Sequence, residues 1–298
     1  MSLLFSNEIL DSVKKELSNA SESVQIITAY CKESSLVHLN NCINSSVAEK
    51  KLLVRFRMDD VVKGSTDFSI LDYALSEGWS VYIRFDLHAK TYIVDKKRGF
   101  VGSANVTNSG LSIGMSGNME MATLVDIEPQ DISKVEKLYC DAIKVDEQIL
   151  EKLREQIDGI TLGEKKSSYI WDYSITKLFT PKVETLFSHE LPDESTLTNG
   201  KYIAFLDETY TGDRDKFKES FRWSNIYLWL LQTLKENGGE IYFGKLSEKL
   251  HNVLISDPRP YRKDVKIMLA NLLSLIVEFG MEEIVIDRPN YSQRIRLK

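Results

Sequence analysis

The residues between His88 and Asn105 have the types and spacing needed to handle a phosphate group. His88 and Lys90 are two residues apart, so on a strand their side chains point to the same face. An imidazole beside a permanent cation suits an anionic substrate and disfavours a metal cation, so we expect no metal here. Gly102 permits close approach of the backbone, and Ser103 and Asn105 add uncharged hydrogen-bond donors for oxyanions.

The same stretch predicts a β-hairpin that gathers these side chains. Residues 88–94 have a strand-like pattern, Lys96-Lys-Arg-Gly99 supplies a polar turn, and residues 100–101 return antiparallel. On this prediction Gly102, Ser103 and Asn105 end near His88.

The spacing His-x-Lys-x4-Asp-x6-Gly-Ser-x-Asn resembles the active-site signature of the phospholipase D superfamily, and this sequence matches every specified position. The resemblance implies that His88 is the nucleophile and forms a covalent phosphohistidine. It also implies that Lys90 and Asn105 hold the non-bridging oxygens, with help from Ser103. Asp95 would support the site by resemblance, and a purely structural role in capping the turn is the alternative.

A nucleophilic imidazole needs an acceptor for its second ring nitrogen. In the family that acceptor is often an acidic residue just before an apolar strand. Glu120 precedes Met121-Ala-Thr-Leu-Val125 and occupies such a place. The structural alternative is a solvated start of a strand.

Only one such motif is present, whereas an active site of this family uses two, the second histidine acting as general acid. None of the other three histidines, His38, His189 and His251, is followed two residues later by lysine. The resemblance therefore implies a symmetric homodimer in which two motifs face each other.

The elements around the motif predict an α/β fold, a phospholipase D-like mixed sheet flanked by helices, over residues 1–158. Strands are predicted over 24–30, 51–56 and 80–85, and helices from Ser6 or Asn7, over 34–43 and over 67–77, which is typical of parallel βαβ units. Adjacent Asp59 and Asp60 could suggest a metal, but helix capping is the favoured interpretation. One long helix is predicted from Asp131 to Ile157.

The remainder predicts a linker and unassigned region over 159–222 and a mostly helical, winged-helix-like domain over 223–298. The order there is helix, short strand, helix, helix, hairpin. Between Trp223 and Lys298 there are 11 Lys and Arg against 9 Asp and Glu, although the whole chain carries a net charge of −6. The candidate DNA-binding residues lie on the third helix and on the wing: Arg259, Arg262, Lys263, Lys266, Arg288, Arg294 and Arg296. A protein-interaction domain is the alternative.

The composition bears on the redox state of the cysteines and on association with membranes. Cys31, Cys42 and Cys140 lack CxxC spacing and indicate reduced thiols in a cytoplasmic protein, rather than disulfides or zinc ligands. No apolar run approaches the roughly 18 residues of a membrane span, and no signal peptide is expected near Glu8.

These patterns together predict a metal-independent, cofactor-free phosphodiesterase, foremost a homodimeric DNA (or RNA) endonuclease of restriction or phage-defence type. Some restriction endonucleases join a catalytic core of this family to a DNA-recognition domain, although that domain is usually a β-barrel. A lipid or small-molecule phosphodiesterase or phosphatidyltransferase, and an inactive nucleic-acid-binding protein, are the alternatives. A helicase or methyltransferase partner is left open.

Overall fold

The computed structural model describes residues 3–114, 117–160, 169–179, 181–289 and 291–298. Within these ranges the chain forms two compact units, one of residues 3–160 with 169–179 and the other of residues 181–298.

The first unit alternates strands and helices. Its strands are β1 (Leu3–Phe5), β2 (Ser23–Thr28), β3 (Glu49–Arg55), β4 (Ser80–Arg84), β5 (Lys90–Val94), β6 (Arg98–Gly102), β7 (Met121–Asp126) and β8 (Ile143–Lys144). Its helices are α1 (Asn7–Asn19), α2 (Glu33–Asn40), α3 (Met58–Val62), α4 (Ile70–Ser76), α5 (Asn108–Leu111), α6 (Pro129–Cys140), α7 (Glu147–Asp158) and α8 (Tyr173–Thr176).

The eight strands form one mixed sheet in the order β1-β7-β6-β5-β2-β3-β4-β8. Strands β2, β3 and β4 are parallel neighbours, as the strand–helix alternation predicted. Strand β5 runs antiparallel to β2 and to β6, which continues the sheet into the motif hairpin. Every residue of β2 is buried, because this central strand is covered on both faces. The predicted mixed α/β sheet flanked by helices is confirmed.

The prediction of one continuous helix from Asp131 to Ile157 is wrong. Two helices, α6 and α7, occupy this range, and between them β8 pairs antiparallel with β4 at the edge of the sheet. Asp146 then begins α7 by accepting a hydrogen bond from the Ile149 amide at 2.8 Å.

Asp59 and Asp60 do not cap a helix as predicted. Both lie in the first turn of α3, whose N-cap residue is Arg57. The Asp60 carboxylate instead forms a two-pronged ion pair with Arg55 at 2.8 and 2.9 Å. Asp59 pairs with Lys63 one turn later.

The second unit is mostly helical. Its elements are β9 (Tyr202–Ile203), β10 (Glu208–Thr209), α9 (Arg214–Arg222), α10 (Asn225–Glu236), β11 (Glu240–Tyr242), α11 (Phe243–Val253), α12 (Arg262–Phe279), β12 (Ile284–Asp287) and β13 (Arg294–Leu297). From α10 onward the order is helix, strand, helix, helix, hairpin, and β13 pairs antiparallel with both β11 and β12.

The range 159–222, for which the sequence predicted only a linker and an unassigned stretch, is divided between the two units. Trp171 packs in the first unit, where its ring stacks on Phe56 and its indole N–H donates to the Phe56 carbonyl at 2.7 Å. Leu186, Phe217 and Phe221 are fully buried in the core of the second unit, so part of this range belongs to a folded domain.

A search of the helices in the described ranges found none with the length and apolar character that crossing a lipid bilayer requires.

Candidate active site

The candidate residues lie at one edge of the sheet because of the directions in which its strands run. The parallel strands β2 and β3 end at this edge, β6 ends there too, and the antiparallel β5 and β7 begin there. Residues that precede β5 and β7 and residues that follow β2, β3 and β6 therefore meet. Thr28, at the end of β2, is directly paired with Lys90, at the start of β5.

His88 and Lys90 lie at this edge, with one change from the prediction. His88 is exposed and precedes the strand, which begins only at Lys90. The Lys90 ammonium donates a hydrogen bond to the His88 carbonyl at 2.8 Å, so the two residues are held together by a local turn as well as by strand spacing.

The charges around His88 favour its neutral form. Desolvation lowers the pKa of His88, and the positive charges of Lys90, Arg55 and Arg57 lower it further, while Asp60 partly opposes them. The pKa of Lys90 is also lowered, first by desolvation and then by Arg55, and the nearby Glu120 counteracts this. A neutral imidazole beside a cluster of cations suits nucleophilic attack on an anion.

Arg55 and Arg57 are part of this environment although no sequence motif pointed to them. Arg55 is the last residue of β3 and is held in place by the Asp60 carboxylate and by the Tyr30 hydroxyl, to which it donates at 2.7 Å. Its guanidinium also lies over the Tyr30 ring, 4.7 Å from the centroid. Arg57 donates to the Phe85 carbonyl, at the end of β4. A signal did exist, since Arg55 lies near the end of the predicted strand 51–56 and Arg57 follows that strand directly.

Asn105 is placed by contacts with β2. Its side-chain oxygen accepts hydrogen bonds from the Tyr30 amide at 3.0 Å and from the Thr28 hydroxyl at 3.3 Å. The Tyr92 hydroxyl donates to the Ala104 carbonyl, which fixes the preceding residue. Because a backbone amide can only donate, the Asn105 oxygen must face Tyr30, and its amide group is left to face outward as a donor.

Ser103 and Glu120 contact each other rather than His88. The Ser103 hydroxyl donates to the Glu120 carboxylate, which is buried, and accepts from the Met121 amide at 3.1 Å. Asn118 donates to the other Glu120 oxygen at 3.2 Å. Within the described ranges no hydrogen bond joins Glu120 to His88, so the predicted histidine–carboxylate pair is not formed in this structure. The alternative, a solvated strand start, is also wrong because Glu120 is buried.

Asp95 lies away from this edge, and its predicted place in the catalytic set is corrected. It follows β5, and a five-residue strand of about 3.3 Å per residue separates it from Lys90 by roughly 16 Å. Its carboxylate accepts from the backbone amides of Ser21, Glu22 and Ser23 at 2.7–3.1 Å. Burial alone would raise the pKa of Asp95, but these amide bonds outweigh burial and hold the pKa below its usual value. The structure shows a structural contact of Asp95, but with the amides at the start of β2 rather than with those of its own hairpin turn.

Gly102 is required by strand packing. A Cβ at this position would lie 2.4 Å from the Met121 carbonyl oxygen and 2.6 Å from the Ala122 side chain, on the neighbouring strand β7. The absence of a side chain therefore lets β6 and β7 approach where Ser103 and Glu120 meet.

A polar pocket of about 720 Å³ adjoins the candidate site. Tyr30 and Asn105 line it, and so do residues that follow the motif, among them Asn108 and Asn118. The sequence between Asn105 and Asn118 is rich in Asn and Ser. Its position on the pocket wall makes substrate contact geometrically possible.

The basic residues of the second unit fall into two groups. Arg262, Lys263 and Lys266 are exposed at the start of α12, and Arg288 is exposed after β12; among the described residues they form no ion pair. Arg259 is exposed too and donates to the His251 carbonyl. By contrast, Arg294 and Arg296 both pair with Asp287 within the hairpin, which reduces the positive charge predicted for the wing.

Comparisons with known proteins find one family model, which matches within the first unit. Residues 13–139 match the family model described as "Cardiolipin synthase, PLD-like domain". A comparison with curated proteins finds no significant match.

Several solved structures are similar to part of this chain. NucT from Helicobacter pylori is 18% identical, with 48% of this chain and 98% of that one covered and a TM-score of 0.36. Nuc from Salmonella typhimurium, a phospholipase D family member, is 16% identical, with 48% and 97% covered and a TM-score of 0.37. Phosphatidylserine synthase from Haemophilus influenzae is 15% identical, with 52% and 44% covered and a TM-score of 0.36.

The family match spans the sheet edge that carries His88, Lys90, Ser103, Asn105 and Glu120. The match over residues 13–139 makes the first unit similar to the phospholipase D superfamily, whose members act on phosphodiesters and include nucleases.

Proposed function

We propose that this chain is a metal-independent phosphodiesterase that cleaves nucleic acid, most specifically a DNA endonuclease, through a phosphohistidine on His88. The observation that carries the proposal is the sheet edge that brings His88, Lys90 and Asn105 together, where Arg55 and Arg57 also help to lower the pKa of His88. A lowered pKa favours the neutral form of the imidazole, which can attack a phosphodiester without first losing a proton.

The first step forms one bond and breaks another. A nitrogen of neutral His88 attacks phosphorus, and the phosphorus–oxygen bond to the leaving group breaks. The departing oxygen takes a proton from a second His88, whose protonated form is favoured by the bound anionic phosphodiester. In the second step water attacks the phosphohistidine and gives its proton to that second His88, which restores both residues. Lys90 and Asn105 would stabilise the charge on the non-bridging oxygens, and the bond from the Tyr30 amide to the Asn105 oxygen supports this role because it leaves the Asn105 amide group as a donor.

The second His88 would come from a second copy of the chain, since one motif supplies half of this scheme. An apolar surface on the β1–β7–β6 side of the sheet supports self-association. It consists of Leu3, Phe5, Val101, Met119 and Met121, whose side chains are 43% to 83% exposed. Phe5 and Met121 are directly paired across β1 and β7, so the surface is continuous. It adjoins Glu120 and therefore the candidate site.

The second unit is proposed to be a winged-helix module that brings DNA to the catalytic unit. Support comes from the order of its elements and from the exposed cations Arg262, Lys263 and Lys266 at the start of α12, where a recognition helix meets DNA. Because Arg294 and Arg296 are paired with Asp287, α12 rather than the hairpin carries most of this proposal.

A phosphatidyl-transfer activity is the second candidate, because the matching family model is named for cardiolipin synthase. The chemistry at phosphorus would be the same, with an alcohol replacing water in the second step. The two candidates therefore differ only in what binds beside the phosphate.

The deciding experiment offers both substrates to the purified chain. Supercoiled plasmid and phosphatidylglycerol vesicles are incubated separately in excess EDTA, with His88→Ala as the inactive variant and His251→Ala as the matched control. We expect plasmid cleavage by the wild type and by the His251→Ala variant, and none by His88→Ala. Acid-labile, base-stable phosphate trapped on the wild type would identify the intermediate. Full plasmid cleavage by His88→Ala would refute the mechanism, and turnover of the vesicles alone would favour phosphatidyl transfer.

A further inference from the structure

The pocket beside Asn105 differs in chemistry from the sheet edge that carries the motif. Apart from the Tyr30 ring, its described lining consists of glycine and of side chains with hydroxyl, amide or charged groups. Its volume of about 720 Å³ falls in the roughly 300–1,000 Å³ range of small-molecule sites, and a phosphate group alone would leave most of it empty.

The pocket is close to electrically neutral. Lys32 and Asp67, both on its wall, form an ion pair at 2.7 Å, and Asp67 also accepts the Glu33 amide at 3.0 Å. A second anionic group would find no free cation on the described part of this wall. A neutral polar group fits better, whereas an acyl chain would lack apolar side chains to contact.

Hydrogen bonds to neighbours orient the amide groups in the pocket. Asn105 is fixed through its oxygen by the Tyr30 amide, as described above. The Asn108 oxygen accepts from the Ser35 and Ser34 hydroxyls at 2.6 and 3.2 Å. The nitrogen donors of both asparagines remain unused among the described residues. Asn118 shows the opposite arrangement, with its nitrogen bound to Glu120 and its oxygen unused. The pocket thus presents both fixed donors and a fixed acceptor.

We propose that this pocket holds the nucleoside joined to the phosphate under attack. A nucleoside is neutral, and its base and sugar carry both acceptors and donors, which matches the oriented amides. Asn105 lies at the boundary, so its amide would contact the phosphate while Asn108 contacts the nucleoside. The base must be unpaired to enter, as in other sites that read single nucleotides. This inference rests on the proposed phosphodiesterase activity and specifies its substrate.

Chromogenic diesters with a common leaving group test the inference. In the 5′- and 3′-(p-nitrophenyl phosphate) esters of thymidine, in bis(p-nitrophenyl) phosphate and in p-nitrophenylphosphorylcholine, p-nitrophenolate departs each time. Differences in kcat/KM among these diesters then show how well the protein recognises the group that remains on phosphorus. We expect the wild type to prefer one thymidine ester over bis(p-nitrophenyl) phosphate.

Two variants alter the pocket without changing the motif. Asn108→Asp keeps the oxygen that Ser35 requires and removes the amide donor, and Ser65→Leu places a larger side chain at another lining position of the pocket. Ser18→Leu, on an exposed position at the far end of α1, is the matched control. In both pocket variants kcat/KM for the preferred thymidine ester should fall roughly tenfold, the equivalent of one or two hydrogen bonds. Hydrolysis of bis(p-nitrophenyl) phosphate should stay within about twofold, which also shows that the variants fold.

Three outcomes would overturn the inference: equal losses on all four diesters, no loss on either thymidine ester, or a loss confined to p-nitrophenylphosphorylcholine. If the wild type hydrolysed none of the diesters, the proposed function would fail separately. Calorimetric titration of the wild type and the Asn108→Asp variant with thymidylyl-thymidine would then decide whether the pocket binds nucleosides; equal binding by both proteins would refute it.

Discussion

Asp95 is the motif residue for which an experiment can best distinguish a structural role from a catalytic one. Its carboxylate accepts from three consecutive backbone amides and from the Ser21 hydroxyl, and its own backbone adopts φ 52°. Asp95→Ala removes the acceptor and places alanine in the left-handed region, whereas Asp95→Asn keeps one acceptor oxygen and a residue type that tolerates this conformation.

The expected cost follows from these contacts. Hydrogen bonds to a charged group contribute about 1.5–3 kcal/mol each in mutational studies, but water replaces part of them at a half-exposed site. Strain at the left-handed residue adds about 1 kcal/mol for alanine. We therefore expect Asp95→Ala to lower the free energy of unfolding of the first unit by about 3 kcal/mol, or Tm by roughly 6–12 °C. Asp95→Asn should cost about half as much.

The pH dependence of this loss has a definite sign. Because the folded pKa of Asp95 is lowered, its contribution is fully present above the unfolded value of about 3.9 and is lost as pH falls through the folded value. The stability difference between wild type and Asp95→Asn should therefore shrink in acid.

Thermal unfolding and kcat/KM per folded molecule, measured on the same samples, separate the two roles. Asp126→Ala, at a carboxylate 82% exposed, should change Tm little and serves as the control. If Asp95→Ala kept its Tm but lost tenfold or more in kcat/KM, the structural role assigned to Asp95 would be refuted.

Four other outcomes are expected. Arg57→Gln removes a positive charge that lowers the pKa of His88, so the acid limb of the kcat/KM profile should move to higher pH; an unmoved limb would exclude that coupling. Plasmid cleavage should persist in excess EDTA, because protein cations supply the charge, and activity that disappears on chelation and returns with Mg²⁺ would contradict the mechanism. Met121→Glu should convert a dimer into an inactive monomer by light scattering, whereas an active monomer would exclude the shared site. Charge reversal at Lys263 and Lys266 should weaken DNA binding and flatten its salt dependence in a fluorescence titration; unchanged affinity would place the DNA surface elsewhere.

The sequence predicted the sheet edge well where local signals determine position. Strand–helix alternation determined the parallel strands, and the motif hairpin brought His88 and Asn105 to one edge. The same hairpin geometry places Asp95 at the opposite end of β5, since an antiparallel turn lies one full strand away from the strand start. Asp95 was expected to support the site because it belongs to the motif, but the length of β5 places it far from Lys90.

Other features depend on contacts that no local pattern encodes. The apolar periodicity from Ile132 to Ile157 continues through Ile143, so it did not reveal that this residue pairs with β4 and separates two helices. Phe217 and Phe221 are four residues apart on the short helix α9, but their burial depends on helices that follow later in the chain. Leu186 lies outside any helix or strand of the described chain and is buried in the same core. The position of Glu120 in the sequence correctly indicated that it lies near the site. Its hydrogen-bond partner is Ser103 because β6 and β7 approach closely at Gly102, which the sequence did not reveal.

Arg55 illustrates how one arrangement of charge serves two requirements. A phosphodiester needs cations to bind, and an attacking histidine needs its pKa lowered so that a lone pair is available. Arg55 cannot move freely toward the substrate, because Asp60 and Tyr30 hold its guanidinium. Its field nevertheless lowers the pKa of both His88 and Lys90. Lys90, bound only to a carbonyl among the described residues, keeps donors for the phosphate. In the proposed mechanism the fixed arginine therefore adjusts the protonation of His88, and Lys90 binds the anionic phosphate.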